Sequence, residues 1–171
     1  NIRRHYKQNT DTGSRVFNGK EWELVARLLD NRLLTSADYS DNGTVLTIPT
    51  LTDICGLEVT TRIFPERNTA LEGLYRSSGN YCTQCEAEGF RRITFFPDRP
   101  DVMSRYTVTL IANRQQYPML LSNGNPVDRG ELPNGKHWVT WHDPFPKPSY
   151  LFALVAGDLS CQEDRFITRS G

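Results

Sequence analysis

In the stretch Tyr106-Thr107-Val108-Thr109-Leu110-Ile111, large apolar side chains alternate with threonines from Tyr106 to Leu110. Successive side chains of a β-strand point to opposite faces, so this period of two predicts a strand that buries one face. The same alternation occurs at residues 44–48, 57–64 and 137–141. These four stretches predict a fold built from short β-strands.

Two segments toward the C-terminus also predict strands. Residues 150–156 (Y-L-F-A-L-V-A) are apolar on both faces, which is typical of a central strand that is covered on both sides. Residues 165–168 (R-F-I-T) predict one more short strand. Tight hairpin turns require positive φ, which asparagine and glycine tolerate. We therefore predict turns at the four Asn-Gly dipeptides, at positions 18–19, 42–43, 123–124 and 134–135.

One segment fits either a helix or a strand. Residues 21–33 place four apolar side chains at helical spacing, whereas residues 24–28 also fit a strand behind the first Asn-Gly turn, which we favour. The ten prolines of the chain leave little room for long helices. We therefore expect an all-β fold of two packed, mainly antiparallel sheets, in a single domain over residues 1–171.

The composition narrows the class of protein. The chain carries 20 Lys+Arg and 20 Asp+Glu, so its net charge is zero. Binders of nucleic acids and membrane surfaces usually carry a basic excess, and we expect neither kind of partner. Hydrophobic residues make up 37% and charged residues 23% of the chain, as in ordinary globular proteins.

The cysteines predict reduced thiols. Four of them, scattered along the chain, are too few for a disulfide-stapled secreted scaffold, so we expect a cytoplasmic protein. Cys82 and Cys85 have the C-x-x-C spacing of zinc or redox sites. A structural zinc site usually requires a second close pair, and Cys55 and Cys161 are single and remote. We favour structural thiols, with a small zinc site on Cys82 and Cys85 as the alternative.

Signatures of several enzyme classes are missing. The chain contains no glycine-rich dinucleotide or phosphate loop, no G-x-S-x-G and no H-E-x-x-H. His137 and His142 lie five residues apart on a predicted strand, so they face opposite sides and do not share a metal. We interpret both as structural histidines.

Residues 83–100 carry a distinctive series, T-Q-C-E-A-E-G-F-R-R-I-T-F-F-P-D-R-P. With N-T-A-L-E-G-L-Y at 68–75 and D-P-F-P-K-P-S-Y-L-F-A-L-V-A-G-D at 143–158, it resembles the N-terminal domain of the aminopeptidase N family, the zinc-dependent alanyl aminopeptidases, especially their bacterial cytoplasmic branch. That family shows T-Q-x-E, then an arginine, then an aromatic-x-x-D-x-P run. The likeness is close over residues 66–171 and loose over residues 1–65.

The resemblance implies a saddle-like β domain that precedes a thermolysin-like catalytic domain. The motifs of that second domain, G-A-M-E-N and H-E-x-x-H, are absent here. We therefore expect an N-terminally truncated fragment without catalytic and C-terminal domains. It would hold no cofactor and hydrolyse nothing alone, because zinc belongs to the catalytic domain of the parent enzyme. The implied partners are that catalytic domain and peptides with a free N-terminus, and we expect the truncated piece to be prone to self-association.

The resemblance also implies substrate-binding residues. Glu86 is similar to the family's glutamate that binds the free α-amino group of the substrate, and Gln84 to the residue that lines the pocket for its first side chain. Cys85 departs from the family, in which an aromatic residue is common at this position. We expect Arg91, Asp98 and Arg99 to shape the loop through ion pairs rather than to touch the substrate.

A function of a different class stays open on the sequence alone. Exposed aromatic residues such as Trp138 or Trp141 would suit a stand-alone β-sandwich module that recognises a carbohydrate or a protein.

Overall fold

The computed structural model describes residues 5–9, 25–28, 40–41, 46–48 and 54–170. The strands within these ranges are β1 (His5–Asn9), β2 (Val25–Leu28), β3 (Ser40–Asp41), β4 (Leu46–Thr47), β5 (Ile54–Thr60), β6 (Gly73–Ser77), β7 (Asn80–Gln84), β8 (Ser104–Asn113), β9 (Met119–Ser122), β10 (Asn125–Leu132), β11 (Lys136–Lys147) and β12 (Leu154–Gly157). Three single-turn 3₁₀ helices span Pro65–Arg67, Phe90–Arg92 and Ser149–Leu151. None of the helical segments in the described ranges is long and apolar enough to span a bilayer.

Every strand pair in the described ranges is antiparallel. One sheet has the order β6-β7-β12-β9 and another the order β10-β11-β8. A third sheet has the order β1-β5-β2, and β3 pairs with β4. The expected all-β architecture of packed antiparallel sheets is confirmed.

The core lies between the β6-β7-β12-β9 sheet and the β10-β11-β8 sheet. Strand β8 contributes Tyr106, Val108 and Leu110, which are 3–7% exposed, as the period of two predicts. The other buried members come from β9, β12, the segment after β7 and the end of the 3₁₀ turn at Ser149–Leu151. They are Cys85, Phe90, Ile93, Phe96, Leu120, Phe152, Leu154 and Ala156. The segment after β7 is therefore anchored in the core at several positions.

Several strand predictions are confirmed with shifted bounds. The alternating stretches 106–111 and 137–141 lie within β8 and β11, and the stretch 57–64 forms a strand that ends at Thr60. Within residues 21–33 the described part, Val25–Leu28, is a strand that pairs with β5. Of residues 44–48, Leu46–Thr47 forms β4, whereas residues 44–45 lie outside the described ranges.

The predicted strand at 150–156 is wrong in its first half. Ser149–Leu151 forms a 3₁₀ turn, in which the amide of Phe152 donates to the carbonyl of Ser149 at 3.0 Å. The hydroxyl of Ser149 also donates to the buried carboxylate of Asp98, and this bond holds the chain in the turn. The second half is the predicted central strand, because β12 lies between β7 and β9.

The predicted strand at 165–168 is wrong throughout. These residues are exposed and belong to no strand, and the side chains of Phe166 and Ile167 are 87% and 90% exposed. Their apolar character predicts burial, but no sheet edge among the described residues pairs with them.

Two Asn-Gly turns lie within the described ranges and differ in role. Asn134 and Gly135 have φ of 64° and 69° and join β10 to β11 as the expected hairpin. Gly124 has φ of 85°, but its turn joins β9 to β10, which belong to different sheets, so the hairpin prediction is wrong there. The dipeptides at 18–19 and 42–43 lie outside the described residues.

Candidate functional site

The chain between β7 and the 3₁₀ turn at Phe90–Arg92 presents Glu86 at the surface. Cys85 is 2% exposed and Phe90 is fully buried in the core. Residues 86–88 between them are exposed. We call this segment, residues 85–90, the Glu86 loop. Because both of its ends are fixed in the core, it presents the carboxylate of Glu86 from a rigid base.

Gln84 and Glu86 reach the same part of the surface. Both side chains are exposed, and the amide Nε2 of Gln84 donates to the main-chain oxygen of Glu86 at 3.3 Å. Gln84 thus steadies the backbone of Glu86 and leaves its carboxylate free. That carboxylate has no ion-pair partner among the residues that the structure describes. The peptide bond from Glu86 to Ala87 is cis.

Close backbone packing shapes the Glu86 loop. The amide of Gly89 donates to the carbonyl of Cys85 at 2.8 Å, which closes one turn. A Cβ atom at residue 89 would lie 2.9 Å from the amide nitrogen of Gly73 and 3.0 Å from the Cα of Cys85. Only glycine permits such an approach without a shift of the backbone, so the loop depends on Gly89.

A buried ion pair fastens the loop to the rest of the fold. The carboxylate of Asp98 accepts from the backbone amide of Arg91 at 2.9 Å and from its Nε at 3.1 Å. The Nη1 of Arg91 lies 3.0 Å from the carboxylate of Glu88 within the loop. The pairing predicted for Arg91 and Asp98 is confirmed, whereas Arg99 pairs with the exposed Asp101 and does not contact the loop through that pair.

Two anchors of this region are not predicted from the sequence. Ser149 donates to the second carboxylate oxygen of Asp98. The hydroxyl of Thr83 accepts from the amide of Leu154 at 2.9 Å, which fixes the end of β7 to β12. Only the position of Thr83 next to Gln84 could have signalled its role, and no local pattern marks Ser149.

Within the described ranges, the cysteines and histidines form no second cluster that could hold a metal. Cys82 and Cys161 are free thiols. No group of three or more His, Cys, Asp or Glu side chains that could hold a metal occurs in the described part of the chain. Nε2 of His137 lies 2.8 Å from the carbonyl of Tyr117, and Nδ1 of His142 lies 3.0 Å from the hydroxyl of Thr107. Each histidine therefore has a separate structural partner.

The tryptophans named for a recognition module are not exposed. Nε1 of Trp141 donates to the carbonyl of Leu120 at 3.0 Å, and the side chain is half-buried. Trp138 is also half-buried, and its indole lies against Gly130. The exposed aromatic surface expected for that alternative is absent at these two residues.

Sequence comparison identifies related proteins that are much longer than this chain. The aminopeptidase N of Caulobacter vibrioides is 54% identical over 156 residues, and that of Escherichia coli is 52% identical over 154 residues. The alignments cover 91% and 90% of this chain but 18% of each relative. The chain thus spans less than a fifth of the length of these two relatives.

Solved structures show the same likeness. Aminopeptidase A of Legionella pneumophila, solved in complex with aspartic acid, is 38% identical with a TM-score of 0.78, over 91% of this chain and 19% of that one. An M1 zinc metallopeptidase of Deinococcus radiodurans has a TM-score of 0.72 at 15% identity, over 91% of this chain and 37% of that one, which shows the shared fold alone. Residues 31–151 match the peptidase M1 N-terminal domain. The resemblance carried by residues 83–100 is therefore confirmed, and the chain belongs to the peptidase M1 N-terminal domain family.

Proposed function

We propose that this chain forms the N-terminal domain of a zinc-dependent aminopeptidase, in which the carboxylate of Glu86 binds the free α-amino group of a peptide substrate. Gln84 contributes to the pocket for the first side chain of that substrate. The zinc ion is bound outside these 171 residues, by the catalytic domain of the complete enzyme. The name of the longer relatives, aminopeptidase N, supports this proposal.

The chemistry of an aminopeptidase calls for such a carboxylate. The enzyme must distinguish a charged terminal ammonium group from the uncharged amide of an internal peptide bond. A fixed carboxylate makes a charge-assisted hydrogen bond to the ammonium group, and exclusion of water strengthens this bond. An internal amide offers no such charge, so the same group that binds the N-terminus also supplies the specificity.

The observation that carries the proposal is the free carboxylate of Glu86 on a loop whose two ends are buried. An exposed carboxylate on a mobile segment would lose side-chain and backbone entropy when it binds a ligand. The anchoring of the loop through Cys85 and Phe90 lowers this cost before the substrate arrives. The bond from Gln84 to the backbone of Glu86 supports the same preorganisation.

The cytoplasm is the proposed location. Cys82 and Cys161 are free, and reduced thiols persist in that compartment. The proposed partners are the catalytic domain of the same polypeptide and peptides with a free N-terminus.

The test is a carboxylate-to-amide substitution in the complete aminopeptidase that carries this domain. Glu86→Gln should lower kcat/KM by about 30- to 1,000-fold, which corresponds to about 2–4 kcal/mol for loss of an ionic hydrogen bond in a sheltered site. Glu131→Gln is the matched control, because Glu131 is an exposed carboxylate paired with Arg114 on another sheet. Unchanged kinetics in Glu86→Gln would overturn the proposal.

A further inference from the structure

The guanidinium group of Arg91 uses all three of its nitrogen atoms near the Glu86 loop. Nε lies 3.1 Å from the Oδ2 of Asp98, and Nη2 lies 2.8 Å from the main-chain oxygen of Asp98. Nη1 lies 3.0 Å from the carboxylate of Glu88. One planar side chain therefore ties the loop to a segment seven residues further along the chain.

Asp98 is itself held firmly. Its side chain is 1% exposed, and that of Arg91 is 23% exposed. Oδ2 accepts from Arg91, and Oδ1 accepts from the hydroxyl of Ser149, which is also buried. A buried carboxylate is tolerated when it is paired and hydrogen-bonded, so this arrangement fixes Arg91 against a rigid part of the fold.

The geometry connects this clamp, which consists of Arg91, Asp98 and Ser149, to Glu86. Glu88 lies two residues beyond Glu86 in the same exposed turn, and Arg91 lies directly after the buried Phe90. A change in the position of the Arg91 guanidinium group therefore affects the turn at two points, at Glu88 through the ion pair and at Phe90 through the backbone. Among the described residues, the side chain of Arg91 bonds to Asp98 and Glu88 and not to the carboxylate of Glu86. Its influence on that carboxylate therefore runs through the backbone of the loop.

We propose that Arg91, held by Asp98 and Ser149, is a positioning residue for recognition of the substrate's amino group. It does not touch the substrate and acts only by placing Glu86. This inference rests on the proposed role of Glu86 and adds the device that sets its position. Misplacement of a reacting or binding group by about 1 Å can cost on the order of 100-fold in rate, so a positioning residue has a measurable effect.

The test is a double-mutant cycle in the complete aminopeptidase. Arg91→Lys keeps the positive charge but loses the planar set of donors that reaches Asp98 and Glu88 together. On the wild-type background we expect Arg91→Lys to lower kcat/KM by about tenfold, mainly through KM, and Ser149→Ala by a smaller factor. On the Glu86→Gln background the same substitutions should change kcat/KM by less than about twofold, because Glu86 no longer needs to be placed.

The cycle separates positioning from a general loss of structure. A purely structural defect would lower kcat/KM equally on both backgrounds, and that result would overturn the inference while leaving the role of Glu86 intact. Unchanged kinetics in both Arg91→Lys and Ser149→Ala would likewise overturn the inference and leave the role of Glu86 intact. Unchanged kinetics in Glu86→Gln would instead remove the proposed function and the inference with it.

Two further variants keep the result interpretable. Arg114→Lys is the control, because Arg114 forms an exposed ion pair with Glu131, outside the clamp. We expect Arg114→Lys to leave kcat/KM unchanged. If Arg91→Lys fails to fold, as judged by thermal unfolding, Ser149→Ala carries the cycle, since it removes only one hydroxyl from the clamp.

Discussion

Phe90 is the side chain on which the Glu86 loop rests. It is fully buried, and its ring makes edge-to-face contacts with Phe96, Phe152 and Tyr106 at centroid distances of 5.0, 5.1 and 6.2 Å. Contacts of this kind add to the stabilisation from burial. The same side chain therefore supports both the core and the surface that presents Glu86.

Truncation of Phe90 should destabilise the fold strongly. We expect Phe90→Ala to lower the free energy of unfolding by about 3–5 kcal/mol, since it removes a ring and leaves a cavity. Urea denaturation of the two proteins measures the difference. Phe166→Ala is the control, because that ring is 87% exposed and its loss should change stability by less than about 0.5 kcal/mol. A difference below about 1 kcal/mol for Phe90→Ala would contradict the role given to this residue.

Glu66 and Tyr81 form another hydrogen-bonded pair of side chains, outside the Glu86 loop. The hydroxyl of Tyr81 donates to the carboxylate of Glu66. This hydrogen bond is the main reason why the pKa of Glu66 lies below its ordinary value of 4.5. Burial raises the pKa of Tyr81, followed by its bond to Glu66, so the tyrosine keeps its proton through the neutral range.

The pair predicts a pH-dependent contribution to stability. A carboxyl group with a lowered pKa in the folded state stabilises the fold above its unfolded pKa, and the contribution disappears as the pH falls through the folded value. The stability difference between wild type and Tyr81→Phe should therefore be largest near neutral pH and should narrow below pH 4.5. Urea denaturation across this range measures it.

Tyr75→Phe is the matched control for this pH series. The pKa of Tyr75 is raised, mainly by a hydrogen bond with Cys82, and a raised tyrosine pKa affects stability only at alkaline pH. The difference in unfolding free energy between wild type and Tyr75→Phe should thus be constant from about pH 3 to neutral pH, the range in which carboxyl groups titrate. A difference for Tyr81→Phe that is equally constant would show that Glu66 is not the titrating partner.

The two described Asn-Gly turns require glycine for different reasons. A Cβ atom at Gly135 would meet nothing within 4 Å, so only its φ of 69° favours glycine there. At Gly124 a Cβ atom would lie 2.6 Å from the carbonyl carbon of His142 and 2.7 Å from the Cα of Asp143. The turn that passes between sheets is therefore packed against β11, whereas the hairpin turn is open.

This contrast predicts unequal costs for the same substitution. Gly135→Ala should lower the free energy of unfolding by about 1–2 kcal/mol, the strain of a left-handed alanine. Gly124→Ala should cost more than Gly135→Ala, because the backbone of β11 must also move. Chemical denaturation of both variants checks the order. Equal costs would mean that the close approach at Gly124 relaxes without penalty.

The hydrophobic pattern predicts elements well where one face of a strand meets the core. The alternation of residues 106–111 reports the inward side chains of β8 directly. It fails at residues 150–156, because the bond from Ser149 to Asp98 joins positions that are 51 residues apart and leaves no local signal. It also fails at residues 165–168, where apolar side chains have no partner strand in the described part of the chain.

The candidate site is also predicted from the sequence only in part. The family resemblance predicts Glu86 and Gln84, and the structure brings both to one surface. That Gln84 bonds to the main-chain oxygen of Glu86 could not be read from the sequence, since it depends on the turn after β7. The clamp is predicted in part. The charges of Arg91 and Asp98 indicate ion pairs, but nothing in the sequence indicates that Ser149 is the third member.

The molecule as a whole exposes several large apolar side chains, among them Phe145, Phe166 and Ile167, at 75%, 87% and 90%. Exposed apolar surface promotes association between molecules. We predict that the 171-residue chain, studied alone, self-associates at high protein concentration, and that Phe166→Ser with Ile167→Ser reduces this. Analytical ultracentrifugation over a range of concentrations measures it, and a monomer at every concentration would contradict the prediction.

The most direct test of the role of Glu86 compares two substrates that differ only at the amino end. One is an aminoacyl amide with a free α-amino group, and the other carries a hydroxyl group in its place. The complete wild-type aminopeptidase should prefer the amine in kcat/KM by a factor of about 100 or more. Glu86→Gln should reduce this preference by at least about tenfold, since the charge that distinguishes the substrates is gone. A preference that persists unchanged in Glu86→Gln would contradict the account.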